Sequence, residues 1–593
     1  MTDTLQVHAV ARADRCIPTD QILLLLLAAL SAVLYLPNLG NRDLWNPNEP
    51  GYALVAREMV ESGNYLYPTT AGRPRGEKPA PYYWLIVASS YLAGGVNEAA
   101  ARIPSATFGL ALVMLTFLIA RSVTDSTGAA LSAIALAVSF RFCWQARWAE
   151  PDMVLAFFDT ASLAMFHRGI RDEAHRTSWY LSAYAAAGVA CLIKGPVGLA
   201  IPAVAIVSYC VALRSPSRIW SFKPVWGLLI VVAIAAPWYV AASLSGGRDF
   251  AYDLIVRQNF LRFVLPFDHR EPPYFFLLVI FADFAPFSIF IPGAIAHAIR
   301  HRRVATNASL TFFLSWLIGG LIFLSLSASK REAYLLPLYP AAAILVGSML
   351  SAWIRREPIP RWYTEAPSLL WCAILSMVGV AGIAFMLAAE RFFPRSIAAL
   401  QNVDVSLSDA RSLALPFIVI ALAAAVAGAF ALAARKRTAV VLSIAGTMAL
   451  VLMLLQQRVL PALNPYKSAK SASTLAALLA GSNGRLVGYS PVPDIRWSDN
   501  FYLWDAYLFY SHRKIAIIDD PLSLSRIYRS ATPTVVIIRE RDFDSLPGTT
   551  TSAARIAKRF RVGHREMLLT INAALSAEPV PLAGHLGADE GHR

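Results

Sequence analysis

The stretch from residue 45 to residue 84 decides how this chain is interpreted. It reads WNPNEPGYALVAREMVESGNYLYPTTAGRPRGEKPAPYYW, and it follows closely on the first apolar segment of the sequence. It places carboxylates, a lysine and aromatic rings in a loop beside an apolar segment of membrane-spanning character. Burying polar groups at such a place is costly, and residues kept there usually have a function. We therefore expect the chemistry of the protein in this loop.

The composition predicts a protein that crosses a membrane many times. The chain has 593 residues, of which 56% are hydrophobic and 15% are charged, and its mean hydropathy is +0.50. The apolar residues fall in blocks of about 17–25, the length of a helix that spans a bilayer core. The net charge of +15 lies in short clusters between these blocks. Such clusters are typical of cytoplasmic loops, so we expect membrane lipids, and no nucleic acid, as partners.

Thirteen spans are predicted, and the positions of the basic clusters orient them. With a cytoplasmic N-terminus, every cluster falls on the cytoplasmic side. This alternation requires that residues 81–92 do not cross, and we interpret them as an interfacial or re-entrant helix. The predicted spans are residues 22–36, 103–121, 127–143, 151–167, 178–193, 196–213, 225–243, 274–298, 308–328, 333–353, 367–388, 412–433 and 438–458.

The hydropathy changes after residue 459, which predicts a second fold. Short β-prone runs alternate there with helix-like stretches, a pattern that favours a small α/β domain. The parity of thirteen spans places this domain outside the cell membrane, in the periplasm of a Gram-negative cell. The predicted order is a cytoplasmic N-terminus (1–21), a transmembrane module (22–460) with its first outer loop (37–102), an extracytoplasmic α/β domain (461–577) and a disordered tail (578–593). The predicted β-prone runs are residues 485–489, 514–518, 534–538 and 567–571.

The loops predicted to face outward hold an unusual share of charged residues. Carboxylates there can act as a base or stabilise charge, and Lys and Arg can supply counter-charges for a phosphate. Asp152 lies inside the start of an apolar run, where a purely structural role explains it poorly. A lone histidine such as His269 more often forms a structural hydrogen bond than a metal bond. The remaining charged candidates are Glu49, Glu77, Lys78, Arg147, Glu150, Lys194, Arg270, Lys330 and Arg331.

These motifs together resemble those of membrane-embedded GT-C glycosyltransferases related to protein O-mannosyltransferases. The similarity is greatest to the lipid A aminoarabinose transferase-like branch, whose members resemble L-W-x-P-D-E-P-R-Y-A-x-x-x-R-E-M followed by x-E-K-P-P. The resemblance implies thirteen membrane helices, a long first outer loop and an extracytoplasmic C-terminal domain. The matching strings here are LWNPNEPGYA (44–53), REM (57–59), EKP (77–79), RIPS (102–105), RWAEPD (147–152), IKGPVG (193–198), PWY (237–239), NFLRF (259–263) and YLLPLYP (334–340).

The resemblance implies a hexosyl- or pentosyltransferase of the inner membrane. Such an enzyme moves a sugar from a polyprenyl-phosphate donor to a lipid A, glycan or other envelope acceptor on the outer face. A divalent metal is a candidate cofactor, although two ligands are too few to define a site. The roles implied are catalysis for Glu49, Asp152 and Asn48, donor-phosphate binding for Lys78, Arg270, Lys194, Lys330 and Arg331, substrate binding for Tyr52, Tyr82, Arg147 and Tyr334, and a metal pair of Glu77 and His269.

The chain departs from the family pattern at two positions of the first loop. The family's acidic residue falls on Asn48, and its following arginine falls on Gly51. An amide cannot accept a proton at physiological pH, so any base function passes to Glu49 or Asp152, or is lost. Two alternatives therefore stay open, a non-catalytic relative of the family and a lipid or sugar transporter. Transporters commonly show internal repeats, and none is evident here.

Overall fold

A computed structural model describes residues 17–261, 270–301, 308–392, 407–491 and 501–576. The chain forms two compact units, which we call the membrane unit and the sheet unit. The membrane unit comprises Met1–Asn41, Ser62–Pro68 and Pro74–Leu460, and the sheet unit comprises Arg42–Glu61, Thr69–Arg73 and Pro461–Arg593. Two segments of the loop between α1 (Ile17–Tyr35) and α4 (Glu98–Ala120) therefore fold together with the C-terminal part of the chain.

Helices dominate the described residues of the membrane unit. Short 3-10 segments at Pro216–Phe222, Phe287–Phe290 and Glu332–Leu338, π-helical segments at Tyr252–Leu261 and Leu455–Val459, and a three-residue α-helical turn at Leu460–Ala462 join or extend them. In chain order, and including α2 of the sheet unit, the helices are α1 (Ile17–Tyr35), α2 (Glu49–Ser62), α3 (Pro81–Ala93), α4 (Glu98–Ala120), α5 (Ser126–Ala137), α6 (Phe140–Ala146), α7 (Asp152–Arg171), α8 (Arg176–Lys194), α9 (Val197–Ala212), α10 (Pro224–Gly246), α11 (Arg248–Ala251), α12 (Phe275–Asp283), α13 (Ile291–His301), α14 (Ala308–Leu326), α15 (Tyr339–Ile354), α16 (Arg361–Phe392), α17 (Leu407–Ala433) and α18 (Arg437–Leu454).

The chain is a multi-pass membrane protein. Among the described residues, seven helices are long and apolar enough to cross a membrane, or nine when two bent helix pairs are each counted as one span. The pairs α5–α6 and α12–α13 bend by 66° and 119°, and α1 and α9 are shorter apolar helices. Two further helices, α7 and α8, have 20 and 19 residues. Each predicted span thus coincides with a helix or a bent pair.

Helix α3 carries the aromatic residues that end the first-loop motif, and it is short. Its 13 residues extend over about 20 Å at 1.5 Å per residue, less than the roughly 30 Å of a bilayer core. Pro81 occupies its first position, where the missing N–H costs nothing, and Gly94 ends it with a φ of 71°. Helix α3 is therefore too short to span a membrane, as the charge alternation requires.

The C-terminal part of the sheet unit is a mixed five-stranded sheet with helices. The strand order is β4-β3-β5-β7-β6, in which β3 pairs in parallel with β4 and β5, and β7 pairs antiparallel with β5 and β6. A buried apolar layer formed by β3, β5, β7 and α22 holds it together. The elements are β1 (Thr69–Thr70), β2 (Arg73–Pro74), α19 (Asn464–Lys467), α20 (Lys470–Ala480), β3 (Arg485–Tyr489), α21 (Phe501–Ser511), β4 (Ile515–Ile518), α22 (Pro521–Tyr528), β5 (Thr534–Arg539), α23 (Glu540–Asp544), α24 (Gly548–Thr551), β6 (Ala554–Val562), β7 (Arg565–Asn572) and α25 (Ala573–Ser576).

Candidate active site

A cavity of about 400 Å³ lies within the membrane unit. Its wall combines apolar side chains, among them Leu155, Ile201, Phe323 and Leu324, with a group of charged and polar ones. A cavity of this size with a few converging polar groups is the usual form of a small-molecule site. The polar wall residues are Lys78, Asp152, Lys194, Gln258, Asn259, Ser327, Ser329 and Tyr334.

Asp152 and Lys194 form an ion pair in the cavity wall. Asp152 is the first residue of α7 and Lys194 is the last residue of α8, and the two side chains are in direct contact. A helix N-terminus favours a carboxylate and a helix C-terminus favours a cation, so both helix ends stabilise this pair. The Lys194 ammonium also lies 4.9 Å from the ring centroid of Tyr334. Three residues predicted for the site therefore meet at one place.

Further positive charge acts on the Asp152 carboxylate. The charges of Lys194, Arg331 and Lys78 all contribute to its electrostatic environment. The side chain of Asp152 is only 5% exposed, so these interactions are weakly screened by solvent. The sequence motifs placed these residues on three separate loops, and the fold combines them into one cluster of cations around one carboxylate.

Arg331 is held by a second, buried carboxylate. A guanidinium nitrogen of Arg331 lies 3.1 Å from Oε1 of Glu150, and Oε2 of Glu150 accepts a hydrogen bond from Nε2 of Gln145 at 2.7 Å. The hydroxyl of Ser105 donates to the Glu150 backbone carbonyl at 3.1 Å, and it lies 3.5 Å from the hydroxyl of Tyr82. Tyr82, predicted to bind substrate, is thus a buried neighbour of this network.

Two other cations predicted for the site form hydrogen bonds to backbone carbonyls. Lys330 donates to the backbone carbonyl of Glu271 at 3.0 Å and to that of Ser327. Arg147 donates to the carbonyl of Tyr35 at 2.9 Å, at the end of α1, and burial lowers its pKa to about 10. These contacts fix loops and helix ends, and the phosphate and substrate roles of both residues stay predictions.

Arg270 and the predicted metal pair are placed as follows. Arg270 forms an isolated antiparallel backbone bridge with Ser329, a residue of the cavity wall. Glu77 accepts from Arg75 at 3.0 Å, and His269 lies outside the described residues. No group of three metal-ligating side chains occurs in the described part of the chain. The metal role of Glu77 and His269 therefore stays a prediction.

The other predicted residues of the first loop belong to the sheet unit. Glu49 is fully buried and accepts two hydrogen bonds from Arg42, at 2.6 and 2.9 Å, and one from the backbone N–H of Trp45 at 3.2 Å. The backbone carbonyl of Asn48 accepts from the N–H groups of Gly51 and Tyr52 at 3.1 and 3.3 Å. Asn48 thus lies at the start of α2, a position that asparagine favours.

Sequence reasoning missed several partners in both units. Arg42, the partner of Glu49, lies outside the quoted motif. Gln145, the partner of Glu150, is uncharged and was therefore not selected as a candidate. Gln258 and Asn259 line the cavity. Asn259 begins the NFLRF string that resembles the family pattern, but neither residue was predicted to belong to the site. The Asn259 amide oxygen would lie 2.5 Å from a Cβ placed on Gly195, whose φ is +94°. Close packing and backbone conformation therefore explain the first glycine of the IKGPVG string, Gly195.

Comparison with known proteins gives consistent matches. Residues 21–245 match the model of the dolichyl-phosphate-mannose-protein mannosyltransferase family. An uncharacterized protein of Aquifex aeolicus is 33% identical over 333 residues, which cover 56% of this chain and 64% of that protein. The undecaprenyl phosphate-alpha-4-amino-4-deoxy-L-arabinose arabinosyl transferase of Shewanella sediminis is 28% identical over 375 residues, which cover 61% of this chain and 66% of that protein.

Solved structures show the same fold. The crystal structure of ArnT from Cupriavidus metallidurans bound to undecaprenyl phosphate matches with a TM-score of 0.74 at 20% identity, and the match covers 94% of this chain and 99% of that one. The apo form of that protein matches with a TM-score of 0.73. The resemblance and the fold class predicted from the sequence are therefore confirmed. The sequence matches cover less than two thirds of the two curated relatives named above.

Proposed function

We propose that the chain is a glycosyltransferase that moves a sugar from a polyprenyl-phosphate donor to a lipid A, glycan or other envelope acceptor. The observation that carries this proposal is the cavity whose wall contains Lys78 together with the ion pair of Asp152 and Lys194. The ArnT structure that shares this fold was determined with undecaprenyl phosphate bound. The names of the related arabinosyl transferases also include undecaprenyl phosphate. Both support a donor of this class.

The chemistry of the donor explains the need for these cations. When the bond between sugar and phosphate breaks, negative charge grows on the departing phosphate. Preorganised cations in a site of low dielectric constant stabilise that charge without reorganising during the reaction. Lys78 is the best candidate for this role, with Lys194 and Arg331 close enough to act on the same carboxylate.

The pairing of the carboxylates favours an acceptor that is already anionic. Asp152 is paired with Lys194, and Glu49 is paired with Arg42. A carboxylate stabilised by a cation is a weaker base, and Asn48 is no base at all. A phosphate oxygen needs little general-base help, whereas a hydroxyl needs it. The proposed acceptor is therefore a phosphate group, as on lipid A.

Asn48 favours one second candidate, a non-catalytic relative of the family. Mass spectrometry of lipid A, glycolipids and envelope polysaccharide, from cells with and without the protein, separates the two. A glycosyltransferase adds the mass of one sugar to at least one of these components. Restoring the gene as Lys78→Ala should fail to restore that mass, and Lys436→Ala, which removes an exposed cytoplasmic-cluster lysine, should restore it. No sugar-dependent mass difference in any fraction would favour the non-catalytic relative.

The proposed orientation has a cytoplasmic N-terminus and an extracytoplasmic sheet domain. It rests on the alternation of basic clusters and on the shortness of α3. Ser482 lies in an exposed turn before β3, so a cysteine placed there can report its side of the membrane. Ser482→Cys should react with an impermeant thiol reagent in intact spheroplasts. Protection of this cysteine until the membrane is lysed would reverse the orientation.

A further inference from the structure

The loop motif around Trp45 has an unusual set of backbone contacts within the sheet unit. Three consecutive amides, those of Asp43, Leu44 and Trp45, all donate to side chains rather than to backbone carbonyls. The Trp45 amide bonds to Glu49 inside the motif. The other two bond to residues more than 400 positions later in the chain. Distant side chains thus supply two of three anchor points.

Asn464 supplies the first of these distant anchors. Its side-chain oxygen accepts from the Asp43 amide and from the indole N–H of Trp45, both at 3.1 Å. Two donors that converge on one atom require an oxygen there, so the orientation of the Asn464 amide follows from chemistry. Asn464 is the first residue of the short helix α19.

Tyr510 on α21 supplies the second. Its hydroxyl accepts from the Leu44 amide at 2.7 Å, and Leu44 is fully buried. Lys470 reinforces the contact, since its ammonium lies 3.4 Å from a carboxylate oxygen of Asp43 and 5.5 Å from the Tyr510 ring. Arg57 of α2 donates to the backbone carbonyls at the end of α21. Helices α19, α20 and α21 therefore all hold the loop.

We propose that Asn464 and Tyr510 are positioning residues that fix the backbone of the loop motif around Asn48 and Glu49. This inference rests on the proposed function for its effect on catalysis, but not for its effect on structure. The physical reason is that a buried N–H without an acceptor is costly. The loop conformation is then set by the C-terminal helices as well as by the motif's own residues.

The structural arm of the test is hydrogen–deuterium exchange of the full-length protein in nanodiscs. Asn464→Ala and Tyr510→Phe should each speed exchange of amides 43–45 by roughly tenfold, the effect of losing about one hydrogen bond. Asn464→Asp keeps the acceptor oxygen and should exchange like the wild type. Tyr528→Phe is the matched control, because Tyr528 is buried in the same unit and bonds to Thr570 at 2.7 Å, away from the loop.

The kinetic arm separates positioning from general stability. In the variants that lose an acceptor, kcat should fall roughly tenfold while KM for the donor changes less than about twofold. Asn464→Asp should recover kcat, and Tyr528→Phe should keep it. Wild-type exchange in both Asn464→Ala and Tyr510→Phe would overturn the proposal, as would an equal loss of kcat in Tyr528→Phe. A wild-type protein without transferase activity would reject the proposed function, and the exchange arm would still decide this one.

Discussion

Asp152 in the membrane unit and Glu49 in the sheet unit are both buried carboxylates with a cationic partner, yet their surroundings differ. Asp152 forms part of a cavity wall, and its partner Lys194 also faces that cavity. Glu49 is fully buried and accepts three hydrogen bonds, two from Arg42 and one from a backbone amide. A carboxylate beside a cavity can respond to a ligand, whereas a fully buried carboxylate with three hydrogen bonds fixes the chain around it. We infer that Asp152 serves the reaction and Glu49 serves the loop.

The largest expected effect concerns the Glu49 pair. Glu49→Leu leaves the Arg42 guanidinium buried without its partner, which should lower the free energy of unfolding by about 3–5 kcal/mol. The double variant Arg42→Leu with Glu49→Leu should recover most of that loss, since an apolar pair replaces an ionic one. Arg559→Gln, which breaks the exposed pair with Glu540 in the same unit, should cost less than about 1 kcal/mol. Denaturant unfolding in detergent measures all three.

Equal stability of the wild type and Glu49→Leu would contradict this account of the loop. It would mean that Glu49 does not stabilise the fold, and a catalytic role for it would regain weight. The double variant adds a second check. If it stays as unstable as the single variant, the loss comes from packing and not from the unpaired charge.

The next effect concerns Lys78 in the cavity. In the proposed role, Lys78 stabilises the departing phosphate, so Lys78→Ala should cost about 2–4 kcal/mol of transition-state stabilisation, measured as kcat/KM with a polyprenyl-phosphate donor. Lys436→Ala changes an exposed lysine elsewhere and should leave kcat/KM within about twofold. A wild-type rate in Lys78→Ala would remove this residue from the site.

The smallest effect distinguishes the two classes of acceptor. With a phosphate acceptor, Asp152→Asn should lower kcat by less than about 10²-fold, because the nucleophile is already ionised. With a hydroxyl acceptor the loss should reach about 10²–10⁴-fold, the usual value of general-base help.

Asn48→Asp is the partner experiment. A large gain in rate would identify the native protein as an impaired relative, and a loss would indicate a site adapted to the amide.

Much of the membrane unit could be predicted from the sequence, because apolar blocks and basic clusters are local signals. The predicted spans and the shortness of α3 follow from them. In the sheet unit, β3, β4, β5 and β7 match apolar runs, but β6 was not predicted. Strand β6 lies at the edge of the sheet, and its exposed residues include Arg555, Lys558 and Arg559. Edge strands often carry charged side chains, so β6 lacks the apolar run by which the other strands were predicted. The inclusion of residues 42–61 in this unit was not predicted either.

The site could be predicted only in part. Motif order singled out Lys78, Asp152, Lys194 and Tyr334, and the structure places all four around one cavity. The motifs could not show which carboxylate is fully buried and hydrogen-bonded to an arginine, because ion pairing depends on tertiary contacts. The anchors Asn464 and Tyr510 are uncharged residues more than 400 positions from the loop. No local pattern in the sequence connects them with it.

The most direct test of the central claim is sugar transfer by the purified protein in liposomes. The liposomes contain a polyprenyl-phosphate-linked sugar and either lipid A or the same lipid A with its phosphates removed. We expect release of polyprenyl phosphate and an equal amount of sugar-modified lipid A, and neither product from Lys78→Ala or from dephosphorylated lipid A. Modification of the dephosphorylated lipid at the same rate would contradict the phosphate acceptor. Absence of transfer to any envelope acceptor, with a donor that a known relative consumes, would contradict the glycosyltransferase itself.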